Sequence, residues 1–488
     1  MTTEPVARRS SARATLAISC VATLLVLINF TAPVSTVQTV RAALGSGVSG
    51  QTWILGSISV GLAACLMMAG TLADDFGRKR IFVIGGLVLV LATVVCAVAP
   101  TTLVFVLGRI AQGGASAALL ASSLGLLGHV FPPGPERAHA TGLWGAMVGG
   151  GIALGPVLSA LISKATDWRA TYWAIAAIAA LVVVWGKASL GESRSAHRRR
   201  FDFPGVITLG LGVSLLVAGL TEGRGGWTQP HVIVFLAVAL VLLATFVWVE
   251  KRAVDPMLDL ALFRRPAFVA SVVGALVTGI GVIGLMTYVP TAAQSMLGLS
   301  PLQSAVLLAI WSGLSFVAAP QARRLAGRVV DRHQAAAGLA LCGVGEIALA
   351  GISENSSWWR FVPGLVLAGL GSGVINAALA GLAVRSVPPH RVAVGSAANN
   401  AARYLGSSLG VALVAAILAF VPRDQGTAAH AVSTGMSYAA VIAGALTIAG
   451  AILVVLCRER VPAEGAAEVR KGEDLNTMPG PREPARRV

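Results

Sequence analysis

Apolar runs of about 20 residues recur along almost the whole chain, separated by short polar connectors that carry most of the charge. A run of that length crosses a hydrocarbon layer as a helix, because every backbone N–H and C=O must find its partner inside the segment. Fourteen spans are predicted, beginning near Thr15, Thr52, Ile81, Leu103, Gly142, Ala170, Pro204, Val232, Phe268, Leu302, Ala336, Phe361, Val392 and Ser437. The pattern describes an all-α polytopic membrane protein.

Composition agrees. With 488 residues, 56% of them hydrophobic, and a mean hydropathy of +0.78, the chain holds more apolar material than a soluble core of that size can hide. The charges then give sidedness. With both termini in the cytoplasm, six of the 37 Lys and Arg fall in external loops, two (Arg109 and Arg403) inside spans, and the other 29 in tails and cytoplasmic loops. One missed span would invert every later loop and destroy that asymmetry, so an even count is expected. The net charge of +16 is accounted for by loops that set topology and meet anionic head groups, and no nucleic-acid partner is expected. Arg8, Arg9 and Arg13 precede an apolar stretch longer than a signal-peptide core, so the first span is expected to be retained. Cys20, Cys65, Cys96, Cys342 and Cys457 lie in or at the ends of spans, where neither a disulfide framework nor a metal cluster is expected.

The chain also repeats itself. Gly70-x-Leu-x-Asp74, after the second span, is echoed by Gly327-Arg-Val-Val-Asp331 after the tenth. If the seventh and eighth spans are an inserted pair, the echo holds the same place in two six-span halves, a 6+2+6 plan with a substrate path between them. The expected divisions are a cytoplasmic tail (1–14), a six-helix bundle (15–190), a cytoplasmic linker (191–203) carrying Arg198, Arg199 and Arg200, and the inserted pair (204–249). A second cytoplasmic linker (250–267), a second six-helix bundle (268–457) and a polar tail expected to be disordered (458–488) complete the chain.

Between the second and third spans, Asp74-Asp75-Phe-Gly77-Arg78-Lys79-Arg80 places five charges in seven residues. Gly70 and Gly77 permit tight turning, Asp74 can face a helix N-terminus, and Arg78 can pair across the cytoplasmic surface. A rigid latch is one reading; topological anchoring by Arg78, Lys79 and Arg80 alone is the other. Residues Gly70 to Arg80 resemble the loop signature of the major facilitator superfamily. Four further stretches narrow the resemblance to its fourteen-span drug:proton antiporter branch: Gly108-Arg109-Ile-Ala-Gln112-Gly113, Gly149-Gly-Gly-Ile-Ala-Leu-Gly155-Pro156, Trp168-Arg169, and Ser396 to Gly410 with Asn400, Arg403 and Gly406. The resemblance covers roughly Thr15 to Leu456. It implies a major facilitator fold of 14 helices, a loop that locks the inner gate, a proton-coupling role for Arg109, and an antiporter motif at Gly151, Gly155 and Pro156.

These residues also have physical readings of their own. A cation at Arg109 costs about 3 kcal/mol inside a span unless paired or hydrated. Gln112 and Gly113 share its helix face, with Gly113 expected to leave room beside the guanidinium. Gly151, Gly155 and Ser159 form a small-residue stripe, and Pro156 removes a donor and bends the segment, which suits close packing at the interface between halves. The branch usually continues with glycines where Ser159 and Ala160 stand here. A larger departure lies in the first span: where the branch often carries an Asp followed two residues later by Thr, this chain has Asn29-Phe30-Thr31, and Asn cannot titrate. Glu346, near the middle of the eleventh span, is then the proton-coupling candidate, with structural pairing to Arg403 or Arg109 as the alternative. Glu222 is a second candidate, though water can reach it.

Asn29, Trp53, Gln112, Trp144, Trp311, Asn376, Asn400 and Arg403 sit at depths compatible with a central cavity, where flat rings and amides suit bulky amphipathic cargo. The expected function is secondary active transport at the plasma membrane by a monomer that exports hydrophobic or amphipathic small molecules in exchange for protons. Uptake or uniport of a small organic solute is the alternative. The proton gradient, with no cofactor, is the expected driving force. Seven scattered His without ligand spacing argue against an enzyme, and no loop is long enough for the soluble domain of a receptor.

Overall fold

A computed structural model of the chain describes residues 4–132, 135–194, 202–223, 226–253, 256, 260–322, 329–387, 392–421 and 427–457. The expectations placed on Gly327, on Arg198, Arg199 and Arg200, and on the tail 458–488 lie outside the described residues. The helices are α1 (Glu4–Thr31), α2 (Pro33–Ala43), α3 (Val48–Phe76), α4 (Arg78–Val98), α5 (Thr102–Val130), α6 (Pro135–Ala165) and α7 (Trp168–Ser189). They continue with α8 (Phe203–Glu222), α9 (Pro230–Arg252), α10 (Pro266–Val277), α11 (Gly284–Leu297), α12 (Pro301–Ala322), α13 (Asp331–Ile347), α14 (Val362–Arg385), α15 (Val392–Phe420) and α16 (Ala428–Leu456).

Thirteen of the described helical stretches are long and apolar enough to cross a membrane. The eleventh predicted span is occupied by α13, which falls short of that measure: it is 17 residues long, opens on Asp331-Arg332-His333 and carries Glu346. Elsewhere helices outrun the apolar runs, since backbone bonding continues past the lipid edge; α16 begins nine residues before Ser437. The segment after the first span, expected as a loop, is mostly helical. Pro33 lacks an N–H, so α1 stops at Thr31 and α2 resumes at the Pro. A second irregularity joins α10 to α11, where Thr278–Ile283 form a π turn.

Contacts follow a recurring scheme. In the N-terminal group, α3 and α4 pack on α5, α1 on α6 and α4 on α7. In the C-terminal group, α12 and α13 pack on α14, the π turn and its flanking helices on α15, and α13 on α16. The two groups meet where α3 lies along α15 and α6 along α12. Helices α8 and α9 pack on each other and reach the rest through α3 and α15. Their strongly apolar outer faces, above all that of α9, are left for lipid.

Glycines set the closest approaches. A Cβ on Gly61 would fall 2.0 Å from the Ile110 carbonyl oxygen, and one on Gly279 2.2 Å from that of Arg403. A one-carbon side chain at either position would push the paired helices apart.

Candidate functional site

Between the two groups lies a cavity of about 830 Å³, open mouth included. It is walled by α1, α2 and α6 on one side and by the π turn, α11, α12, α14 and α15 on the other. Phe30 and Tyr404 approach across it with ring centroids 5.7 Å apart. Three sequence-predicted cargo residues line it: Trp311, Asn376 and Arg403. The Trp311 indole N–H donates to Ser372 Oγ at 2.9 Å, which fixes the ring.

The other five are committed elsewhere. Trp53 Nε1 donates to Glu222 Oε1 at 2.8 Å, and Ser49 Oγ donates to the same oxygen at 3.0 Å. Glu222 therefore clasps α8 to the start of α3 and stands apart from the cavity. Trp144 Nε1 donates to Ser123 Oγ at 3.0 Å, tying α6 to α5. Asn400 Nδ2 donates to the Ser396 carbonyl of its own helix at 3.0 Å. Asn29 and Gln112 are buried around Arg109.

Arg109 is fully buried and held by neutral oxygens. Its Nη1 donates to the Asn29 carbonyl at 2.7 Å, to Gln112 Oε1 at 3.0 Å and more weakly to Asn29 Oδ1 at 3.3 Å, while Nη2 donates to the Phe30 carbonyl at 3.0 Å. The chain makes this site locally: with no N–H on Pro33, the Asn29 carbonyl has no partner in its helix and turns to the guanidinium. Hydrogen bonds to a charged group contribute about 1.5–3 kcal/mol each, so three good ones offset a burial cost of about 3 kcal/mol. Gln112 Nε2 in turn donates to Thr93 Oγ1 at 2.9 Å. Gly113 does not leave room for the guanidinium as expected; its Cβ position lies 2.2 Å from the Ile58 carbonyl, so it serves the α3 contact.

Glu346 is equally buried and differently held. Its Oε2 accepts from Thr447 Oγ1 of α16 at 2.8 Å, and its Oε1 has no partner. The pairing with Arg403 or Arg109, considered from sequence, is not formed. Gly281, in the π turn, lets Thr447 come close: a Cβ there would fall 2.1 Å from Thr447 Oγ1. One helical turn before Glu346, the Cys342 thiol donates to the Ala368 carbonyl at 3.2 Å and lies 3.5 Å from Ser372 Oγ, the oxygen that holds Trp311. A string of polar groups thus leads from the cavity wall to the face of α13 that bears Glu346.

In the charged loop, Gly77 has φ +114°, a conformation glycine favours, and Arg78 pairs with Asp74 at 2.7 Å within the loop. This replaces the expected pairing across the surface. The reaching group is Glu192, which sequence reading missed. Its carboxylate accepts the Lys79 backbone N–H at 3.2 Å at the start of α4, while the Arg78 N–H donates to the Ser193 carbonyl at 2.9 Å. The Gly151–Gly155 stripe faces α1, and beside it Ser35 Oγ of α2 donates to the Pro156 carbonyl at 2.8 Å and Thr36 Oγ1 lies 3.2 Å from Ser159 Oγ. It packs within one group of helices, and the contact with the other group falls to Gly149 against Phe316 of α12.

A family model described as Major Facilitator Superfamily matches residues 19–411. The chain belongs to the Major Facilitator Superfamily. Among curated relatives, this facilitator is 32% identical over 381 residues to a multidrug resistance protein, Stp, of Mycobacterium tuberculosis (strain CDC 1551 / Oshkosh), covering 78% of this chain and 71% of that one. It is 31% identical to a probable actinorhodin transporter of Streptomyces coelicolor, over 80% of this chain and 69% of that one. The puromycin resistance protein of Streptomyces alboniger is 28% identical, over 88% and 85%. In fold it matches the human organic anion transporter MFSD10 (TETRAN) with a TM-score of 0.60 at 15% identity, over 91% of this chain and 99% of that one. The protein is a multi-pass membrane transporter and not an enzyme.

Proposed function

We propose that this facilitator exports hydrophobic or amphipathic compounds in exchange for protons, by alternating access of the cavity to the two sides of the plasma membrane. The observation that carries the reading is Glu346, a buried carboxyl with one oxygen hydrogen-bonded and the other free. An ionised carboxylate is expensive in that setting and a protonated one is not, so the group suits a proton carrier whose charge is tolerated only when the conformation changes. The π turn joins the two functions: Thr278, Val282 and Ile283 face the cavity, while Gly281 abuts Thr447, the partner of Glu346. Cargo entering against that wall has a mechanical route to the proton site.

The chain is arranged in this reading as fourteen spans in a 6+2+6 plan with both termini cytoplasmic, including α13 as the eleventh. The matching contact schemes of the two helix groups, and the reciprocal meetings of α3 with α15 and α6 with α12, support it. Residues 15–190 and 268–457 are the rocking halves, and 204–249 the inserted pair. The Asp74–Arg78 pair and the Glu192 cap hold the cytoplasmic loop as a latch, and Arg109 keeps the α1 break in shape. Trp311, Asn376 and Arg403 contact cargo, and a monomer suffices.

The test is accumulation of toxic compounds in cells stripped of their main exporters. Expression lowers accumulation, and a protonophore abolishes the effect. A rise in accumulation on expression would instead establish uptake or uniport, the alternative that Asn29 in place of the branch's Asp keeps open.

A further inference from the structure

Resting on that exporter reading, we propose that the cavity selects aromatic compounds bearing a negative charge, with Arg403 as the group that recognises it. Among the described lining residues Arg403 is the sole charged side chain, and no Asp or Glu faces the space. Its Nε is buried without an acceptor, as is that of Arg109, and no ion pair among the described residues involves it. Arg109 shows what this chain provides when it intends a buried guanidinium to be structural: carbonyl and amide oxygens on both terminal nitrogens. Arg403 has no such set. A guanidinium in a cavity lined by apolar groups, hydroxyls and one amide, with no carboxylate among them, is the complement of an anion, and its planar fork matches a carboxylate or an ionised enol.

The position of Arg403 is enforced. Gly279 and Gly406 bring the backbone of α15 against the π turn, with the Arg403 carbonyl at the contact, so the side chain is anchored at the cavity wall. Asn376 supplies amide donors and an acceptor nearby, and the rings of Phe30, Trp311 and Tyr404 offer flat apolar surface for the body of the ligand. A cationic cargo would meet an unneutralised positive charge in a low-dielectric space. Position 29 is an amide whose Oδ1 accepts weakly from Arg109 and which adds no negative charge.

The experiment is equilibrium binding to the purified full-length protein in lipid nanodiscs, without any ion gradient, read by quenching of intrinsic tryptophan fluorescence. The probes are three anthracenes of one shape: the 2-carboxylate, the 2-carboxamide and the 2-trimethylammonium derivative. The carboxylate is expected to bind about ten-fold or more tightly than the amide, with the cation weakest. Arg403→Gln should bring the carboxylate down to the amide's affinity while changing the amide by less than about three-fold, and Arg403→Lys should keep part of the preference. Equal binding of the three probes, tighter binding of the cation, absence of carboxylate binding, or a preference that survives in Arg403→Gln overturns the proposal. If Arg403→Gln does not fold, the charge series on the unaltered protein decides. Because no gradient is present, a failure of proton-driven export in cells leaves this result standing, and the reverse holds too.

Discussion

Arg109 and Glu346 are each sealed from water, one in each group of helices, and each is stabilised by uncharged neighbours rather than by an opposite charge. They differ in how completely. Arg109 fills the carbonyls freed by a proline break, and its two terminal nitrogens are engaged. Glu346 has one donor and a vacant oxygen, on the 17-residue α13, next to a π turn. The lesson is that burial alone does not mark a working charge. Arg109 has acceptors on both terminal nitrogens, with only its Nε unpaired, whereas Glu346 has a single donor on one oxygen.

Removing the guanidinium is the severest way to break the comparison. Arg109→Met strands the Asn29, Phe30 and Gln112 oxygens, and should destabilise the protein by about 3–5 kcal/mol, seen as a fall in thermal stability in detergent and poor yield. Retained stability would mean that the α1 break does not need its cation. Next comes Gly281→Ala, whose methyl group collides with Thr447 Oγ1. Export should fall about ten-fold, the equivalent of losing one hydrogen bond to a charged group, with thermal stability lowered less than in Arg109→Met. Unchanged export would uncouple the π turn from Glu346. The smallest effect is expected at Glu222→Gln, which preserves an acceptor for Trp53 and Ser49 at a part-exposed site: under about 1 kcal/mol in stability and no change in gradient dependence. A lost proton dependence there would move the coupling role to α8.

The helices themselves were legible because lipid demands one thing of the sequence, about 20 apolar residues in a run. What hydropathy could not report is which way a residue faces. Trp53 and Trp144 lie at depths compatible with the cavity, yet their indole N–H groups found Glu222 and Ser123 on neighbouring helices. Trp311 sits at the wall because Ser372 holds it there. Gly113 shares the helix face of Arg109, yet its contact is the α3 backbone, a relation between distant segments. Glu192 went unnoticed since a single carboxylate after a span has no local pattern; only the fold brings it to the Lys79 N–H. The helix after Pro33 was hidden because propensity past the lipid edge leaves no apolar signature, although Pro33 itself was a signal of the break.

The most direct test of the account is drug transport in proteoliposomes with an imposed pH difference, comparing the unaltered protein with Glu346→Gln. The account predicts that the unaltered protein drives cargo against its gradient only while the proton gradient lasts, and that Glu346→Gln still binds and equilibrates cargo but no longer concentrates it. Full gradient-driven accumulation by Glu346→Gln would contradict it.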